Sequence, residues 1–152
     1  MKRLFFFFTL IFLLGIFVAW QIVDKGGSLQ DPSEISGEIY YSNTSADEII
    51  LEDPYSGKII SSPLFIAGQA RGSWFFEASA PVVLTNWDGL IIAEGTIHTT
   101  KDWMTNEFVP FEGTLLFETP SYGDIGSLIL QNDNPSGLPV YDKAIEIPIR
   151  YH

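Results

Sequence analysis

The stretch that most constrains this chain is Ser62-Pro63-Leu64-Phe65-Ile66-Ala67-Gly68-Gln69-Ala70-Arg71-Gly72-Ser73-Trp74-Phe75-Phe76-Glu77. Leu64 and Ile66 alternate with Phe65 and Ala67, and a period of two suits a half-buried strand. Pro63 has a fixed φ and no N–H, so it fits a strand's first position. Gly68 interrupts the side-chain row, which marks a bulge or a close backbone approach. Arg71-Gly72-Ser73 is turn chemistry. A second alternating run follows, with Phe76, Ala78, Ala80, Val82 and Leu84 on one face and Phe75, Glu77, Ser79 and Thr85 on the other.

The same period recurs along the chain. Ile49-Ile50-Leu51 opens the pattern, and Lys58-Ile59-Ile60 is expected to continue that first strand on a second sheet. Asn86-Trp87-Asp88-Gly89 is a hairpin signal, because Asp-Gly supplies the positive φ of a tight turn. Leu90 to Thr99 returns as a strand, and Thr100 to Pro110 is a longer connection that contains Trp103. Phe111, Gly113, Leu115 and Phe117 alternate with Glu112, Thr114, Leu116 and Glu118; Leu128 and Leu130 make a short strand; Ile145, Ile147 and Ile149 make the last. Pro148 has no donor for a partner, so this last strand is expected at an edge or a bulge. About seven strands with frequent turn signals predict an all-β fold, an antiparallel two-sheet sandwich of immunoglobulin type. The Cys-Trp-Cys hallmark of antibody domains is absent, so pattern alone leaves other seven-stranded topologies open.

The order S-P-L-x-I-x-G-x-A-R at Ser62–Arg71, then Phe76-Glu77, then V-x-L-T-x-x-D-G at Val82–Gly89 resembles the immunoglobulin-like domain of bacterial spore germination proteins, the second of the GerM-associated domains. Pro110-Phe111 with Leu115 and Phe117, then Pro120, Gly126–Leu130 and Ile145-x-Ile147-Pro148-Ile149 extend the likeness to roughly Ile49–Tyr151. The resemblance implies an immunoglobulin-like β-sandwich outside the cytoplasm with no known catalytic residues. It implies no ligand.

Lys2-Arg3 precedes an uncharged, predominantly apolar run from Leu4 to Trp20. About 20 apolar residues span a bilayer core, and positive charge before them predicts a cytoplasmic amino end. Residues 1–23 are therefore expected to be a signal-anchor helix, with Leu4, Phe8, Leu13 and Trp20 among its lipid-facing residues. A cleaved signal peptide is the alternative. Residues 24–47 carry Gly26-Gly27-Ser28, Asp31-Pro32-Ser33 and Ser42-Asn43-Thr44-Ser45, and read as an extracytoplasmic linker that lets residues 48–152 sample space near the membrane. Glu38-Ile39-Tyr40-Tyr41 interrupts its polarity and is a candidate short strand.

The formal net charge is −11, and the chain has no cysteine. An acidic surface repels nucleic acid, whose binders are basic, and anionic lipid headgroups; it favours cationic partners. Disulfides, zinc–thiolate sites and lipid attachment through a cysteine are excluded. No phosphate loop, nucleophile elbow or metalloprotease helix occurs. His98 falls on a strand face with Glu94 and Thr96, a solvent-facing polar row rather than a catalytic pair. No enzymatic activity and no cofactor are expected. Asn132, Asp133, Asn134 and Asp142 offer the hard oxygens Ca²⁺ prefers, and equally the chemistry of an Asx-rich turn.

The aromatics remain as binding candidates. Trp74, Trp87 and Trp103 fall in or beside turns, Tyr141 falls in a loop, and Phe65, Phe75 and Tyr122 fall outward in this register. Large aromatics near loops anchor protein interfaces. The expected function is thus a membrane-tethered module that binds an envelope or surface protein, through the Trp87 and Trp103 loops or along the Ile145–Ile149 edge. A carbohydrate- or peptidoglycan-binding module is the alternative, and a planar row of exposed tryptophans would favour it.

Overall fold

The structure is a computed structural model and describes residues 37–152. The expected anchor residues Leu4, Phe8, Leu13 and Trp20, and most of the expected linker, lie outside the described residues. Among the described residues there are nine strands: β1 (Tyr40–Ser42), β2 (Ile49–Asp53), β3 (Ile59–Ile60), β4 (Leu64–Arg71), β5 (Ser79–Asn86), β6 (Ile91–His98), β7 (Phe108–Leu115), β8 (Ile125–Gln131) and β9 (Ala144–Tyr151). Helical structure among them is confined to two single 3-10 turns, Gly72–Trp74 and Pro139–Tyr141. No described helix is long and apolar enough to cross a membrane.

The strands hydrogen-bond in the order β1-β9-β8-β5-β6-β7-β4-β2, and β3 lies parallel beside β9. Every other pairing is antiparallel. β6 and β7 meet at a single pair, His98 opposite Glu112. The sheet curls at that seam and brings its two limbs over one core. Ile66, Ala70, Val109, Phe111 and Leu115 from one limb are buried in the same cluster as Val82, Leu84, Leu128, Leu130, Ile145 and Ile147 from the other. Burial alternates cleanly along β4 and β9, as the period of two requires, whereas β6 buries Ile97 alone.

The first strand divides as expected: β2 pairs with β4, and β3 crosses to β9. Gly68 allows a close approach, since a Cβ there would run into the Ile50 carbonyl, beside a bulge in β2 between Leu51 and Asp53. The strands beyond the expected seven are β3 and β1, and β1 comes from the stretch read as linker. It pairs Tyr40 with Glu146 and Ser42 with Ala144.

Pro148 explains this arrangement. The even-numbered residues of β9 turn their backbone polar groups to the outer side, where Arg150 N–H donates to Lys58 O at 2.9 Å. Pro148 sits in the break between β1 and β3, and its carbonyl accepts from Gly57 N–H at 2.8 Å. The missing donor therefore leaves no ladder bond unmade. The Ile145–Ile149 edge, expected to be open, is covered by β1 and β3.

One expected strand start is corrected. Phe76 and Ser79 exchange both backbone hydrogen bonds at 3.1 Å, closing a two-residue hairpin with Glu77 and Ala78 at φ of 51° and 62°. Phe76 and Ala78 thus belong to a turn, and β5 begins at Ser79.

Candidate functional site

Strand register sorts the connections between the long strands into two ends. The β5–β6 hairpin and the β7–β8 connection lie at one, the Trp87 end. The β1–β2, β4–β5, β6–β7 and β8–β9 connections lie at the other, the Trp103 end. Trp87 and Trp103, expected to act together, are at opposite ends.

At the Trp87 end the hairpin is fixed by its own polar groups. Asn86 Oδ1 accepts from Asp88 N–H at 3.0 Å and from Leu90 N–H at 2.9 Å, and Gly89 takes a φ of +77°. The Trp87 ring meets Tyr122 edge to face, with centroids 6.0 Å apart. Gly123 (φ +81°) lies under the indole, and any Cβ there would collide with it. Trp87 is nonetheless 52% exposed, and Leu90, Ile91, Leu116 and Tyr122 are also exposed. A groove of about 290 Å³ runs from Trp87 to Pro148. Within it, Ser127 Oγ donates to Glu146 Oε1 at 2.6 Å.

At the Trp103 end, Trp103 is half-buried and stacks edge-on against Phe76 at 6.1 Å. Met104, next to it on the β6–β7 connection, is exposed, as are Leu138, Val140 and Tyr141 on the β8–β9 connection at the same end. Seven acids share these connections: Asp47, Glu48, Glu77, Asp102, Glu107, Asp133 and Asp142, against the cations Arg71, Lys101 and Lys143. Lys143 Nζ holds Glu48 through both carboxylate oxygens at 2.7 and 2.9 Å, and Arg71 donates to the Asp47 and Asn106 carbonyls. Burial alone would raise Glu48; the Lys143 ammonium and the Thr44 hydroxyl outweigh it and hold the carboxyl below its usual value. A polar hollow of about 420 Å³ opens beside Asn43, Asn132, Asp142 and Lys143.

The expected site residues therefore separate. Trp74 is fully buried and presents nothing to a partner. The 3-10 turn at Gly72–Trp74 breaks the alternation of β4, so Trp74 and Phe75 both turn inward, and Phe75 packs against Phe111 at 6.2 Å. The outward placement of Phe75 is corrected with it. Phe65 and Tyr122 are exposed, and Tyr141 is exposed at the Trp103 end.

The Asx-rich loop uses its oxygens internally. Asn132 Oδ1 accepts from Lys143 N–H at 2.7 Å, Asn134 Oδ1 accepts from Ser136, and Asp142 Oδ1 accepts from Asn134 Nδ2 at 2.7 Å. Asp133 N–H donates to Trp74 O at 2.9 Å. Among the described residues no three His, Cys, Asp or Glu side chains group as a metal would need. His98 Nε2 lies 2.7 Å from Thr96 Oγ1 on the exposed face, as the polar row implies.

Leu90, Leu116, Met104 and Val140 were not singled out from sequence. The signal was there for two of them: Leu90-Ile91-Ile92 and Leu115-Leu116 are doubled apolar residues, and a period of two cannot bury adjacent positions together.

The profile of the immunoglobulin-like domain of bacterial spore germination matches residues 48–137. The match runs from the residue before β2 to the β8–β9 loop and stops short of β9. No curated protein and no solved structure matches the chain. The pairings β4–β7, β5–β8 and β8–β9, with the first strand split between two partners, are those of an immunoglobulin-type domain. With more than half of its length covered by that profile, the chain belongs to the immunoglobulin-like domain family of bacterial spore germination.

Proposed function

We propose that this chain is a non-catalytic immunoglobulin-like sandwich, tethered outside the cytoplasm by its apolar amino-terminal segment, that binds a basic envelope protein through the Trp103 end. The observation that carries the reading is the company kept there: exposed Met104, Leu138, Val140 and Tyr141 within a set of seven acids. An apolar centre with a charged rim is the anatomy of a protein interface. Connections at this same end, between the strands equivalent to β4–β5 and β8–β9, carry the binding loops of variable immunoglobulin domains. Arg71 and Lys143 are held within the domain, which leaves the acids to set the sign of the surface. A carbohydrate-binding face finds no support, because Trp74 is buried and Trp87 and Trp103 form no row.

The test is affinity capture by the full-length chain from detergent-solubilised envelopes. Met104→Asp with Val140→Asp is expected to lose partners that the wild type retains, and retention is expected to weaken as salt rises. Equal recovery by both proteins would remove the Trp103 end from consideration.

A further inference from the structure

The Trp87 end lies opposite the proposed partner surface and carries its own apolar group: Trp87, Leu90, Ile91, Leu116 and Tyr122. We infer that this end seats against the lipid bilayer, with the indole and phenol at the headgroup boundary. The inference rests on the tethered reading above.

Three observations support it. The first is where the chain comes in. β1 runs antiparallel to β9, so the chain followed from Tyr40 back to Gly37 heads for the Trp87 end. Gly37 packs on Pro148, Pro148 pairs with Ser127, and Ser127 pairs with Thr85 at the foot of the Trp87 hairpin. Sixteen residues, 21–36, separate Gly37 from Trp20 at the end of the apolar run. Sixteen residues cannot span more than about 53–58 Å even when fully extended. A tether this short holds the end at a high effective concentration near the surface, so weak interfacial affinity suffices.

The second is charge. The connections at this end and the strand ends beside them carry four acids, Asp53, Asp88, Glu118 and Asp124, against Lys58 and Arg150; Lys58 pairs with Asp53, and Arg150 Nη2 pairs with Asp124 at 3.1 Å. The seven acids of the Trp103 end face away. The acidity that would repel a membrane is thus concentrated elsewhere. The third is chemistry. Tryptophan and tyrosine are enriched where water meets lipid, because each has an apolar body and a polar tip. Trp87 is already fixed by Tyr122, Gly123 and the Asn86 cap, so little side-chain freedom is lost on insertion.

The chain has no cysteine, so single labels can be placed at will. The full-length protein, reconstituted into vesicles of phosphatidylcholine with a minor phosphatidylglycerol fraction, would carry an environment-sensitive fluorophore at Leu90→Cys or at Met104→Cys. The label at 90 is expected to shift to the blue, to be quenched by lipid-borne quencher and to lose quenching by aqueous iodide; the label at 104 is expected to do none of these. Alkaline carbonate extraction of the same vesicles reports the tether independently. A chain retained by the vesicles with both labels equally open to iodide would overturn the inference and leave the tether standing. A chain released by carbonate with both labels in water would overturn both. Protection at 90 that needs added envelope protein, and is absent in lipid alone, would also overturn it in favour of a second protein interface.

Discussion

Tyr151 closes the core with a polar atom, and Gly126 makes that possible. Its hydroxyl donates to the Thr85 carbonyl at 2.7 Å, from β9 across β8 to β5. A Cβ on Gly126 would run into both the Thr85 carbonyl and the Tyr151 ring. Phe117 packs edge-on against the same ring at 5.8 Å. Burial pushes the Tyr151 phenol up to about 12 from its ordinary value of 10.0. The buried phenolate is the disfavoured form, so the folded state holds this proton more tightly than the unfolded chain does. The stability it contributes is complete below pH 10 and is lost as pH rises through about 12. Tyr151→Phe is therefore expected to cost about 1 kcal/mol at pH 7, through the lost hydrogen bond and the orphaned carbonyl. The gap between the two proteins should close as pH climbs from 10 toward 12. Urea midpoints across that range check it; a constant gap would mean that the phenol titrates no differently in the folded protein.

Among the elements, the tight hairpin at Phe76–Ser79, within the β4–β5 connection, is where local preference and fold disagree. Its two central residues, Glu77 and Ala78, take left-handed φ angles, a conformation that costs an L-residue about 1–2 kcal/mol. A two-residue hairpin closed by Phe76 and Ser79 needs positive φ at both central positions, and Asn-Gly is the pair that adopts it without strain. Glu77→Asn with Ala78→Gly is expected to raise stability by about 1 kcal/mol, read as a higher urea midpoint with an unchanged slope. The same hairpin marks where the sequence stops being readable. Period two placed β4, β7 and β9 well because their inward faces are unbroken, and Asp88-Gly89 announced the β5–β6 hairpin. Glu77-Ala78 carries no turn signal, and the single 3-10 turn before it moves Trp74 and Phe75 inward together, which no alternation encodes. β1 was equally faint. Three residues of modest polarity become a strand only because β9 has an outer edge to cover, and that demand lies a hundred residues away. Of the candidate site, the individual aromatics at Trp87, Trp103 and Tyr141 were legible; their distribution over opposite ends is a property of strand register.

For the molecule as a whole, charge is the term most open to measurement. Residues 37–152 carry the cations Lys58, Arg71, Lys101, Lys143 and Arg150 against sixteen acids, so the described body holds the full excess of −11. Three of these cations form ion pairs, with Asp53, Glu48 and Asp124. Surface pairs of this kind are worth about 0–1 kcal/mol each and weaken in salt. Against them stand many mutual repulsions among the remaining carboxylates, each about 0.4 kcal/mol at 10 Å in water before screening. The repulsions outnumber the pairs, and salt at about 0.1 M screens beyond roughly 10 Å. Added salt should therefore stabilise this protein, although it loosens the ion pairs. The thermal midpoint of the full-length chain in neutral detergent is expected to rise by about 4 °C between low and moderate sodium chloride, which corresponds to about 1 kcal/mol for a domain of this size. Lys101 has no acidic partner among the ion pairs of the described residues, so Lys101→Gln should lower the midpoint in low salt and matter less as salt rises. A midpoint that falls with salt would mean that the three pairs outweigh the acid excess, and the acidic Trp103 end would then lose its claim to a basic partner on electrostatic grounds.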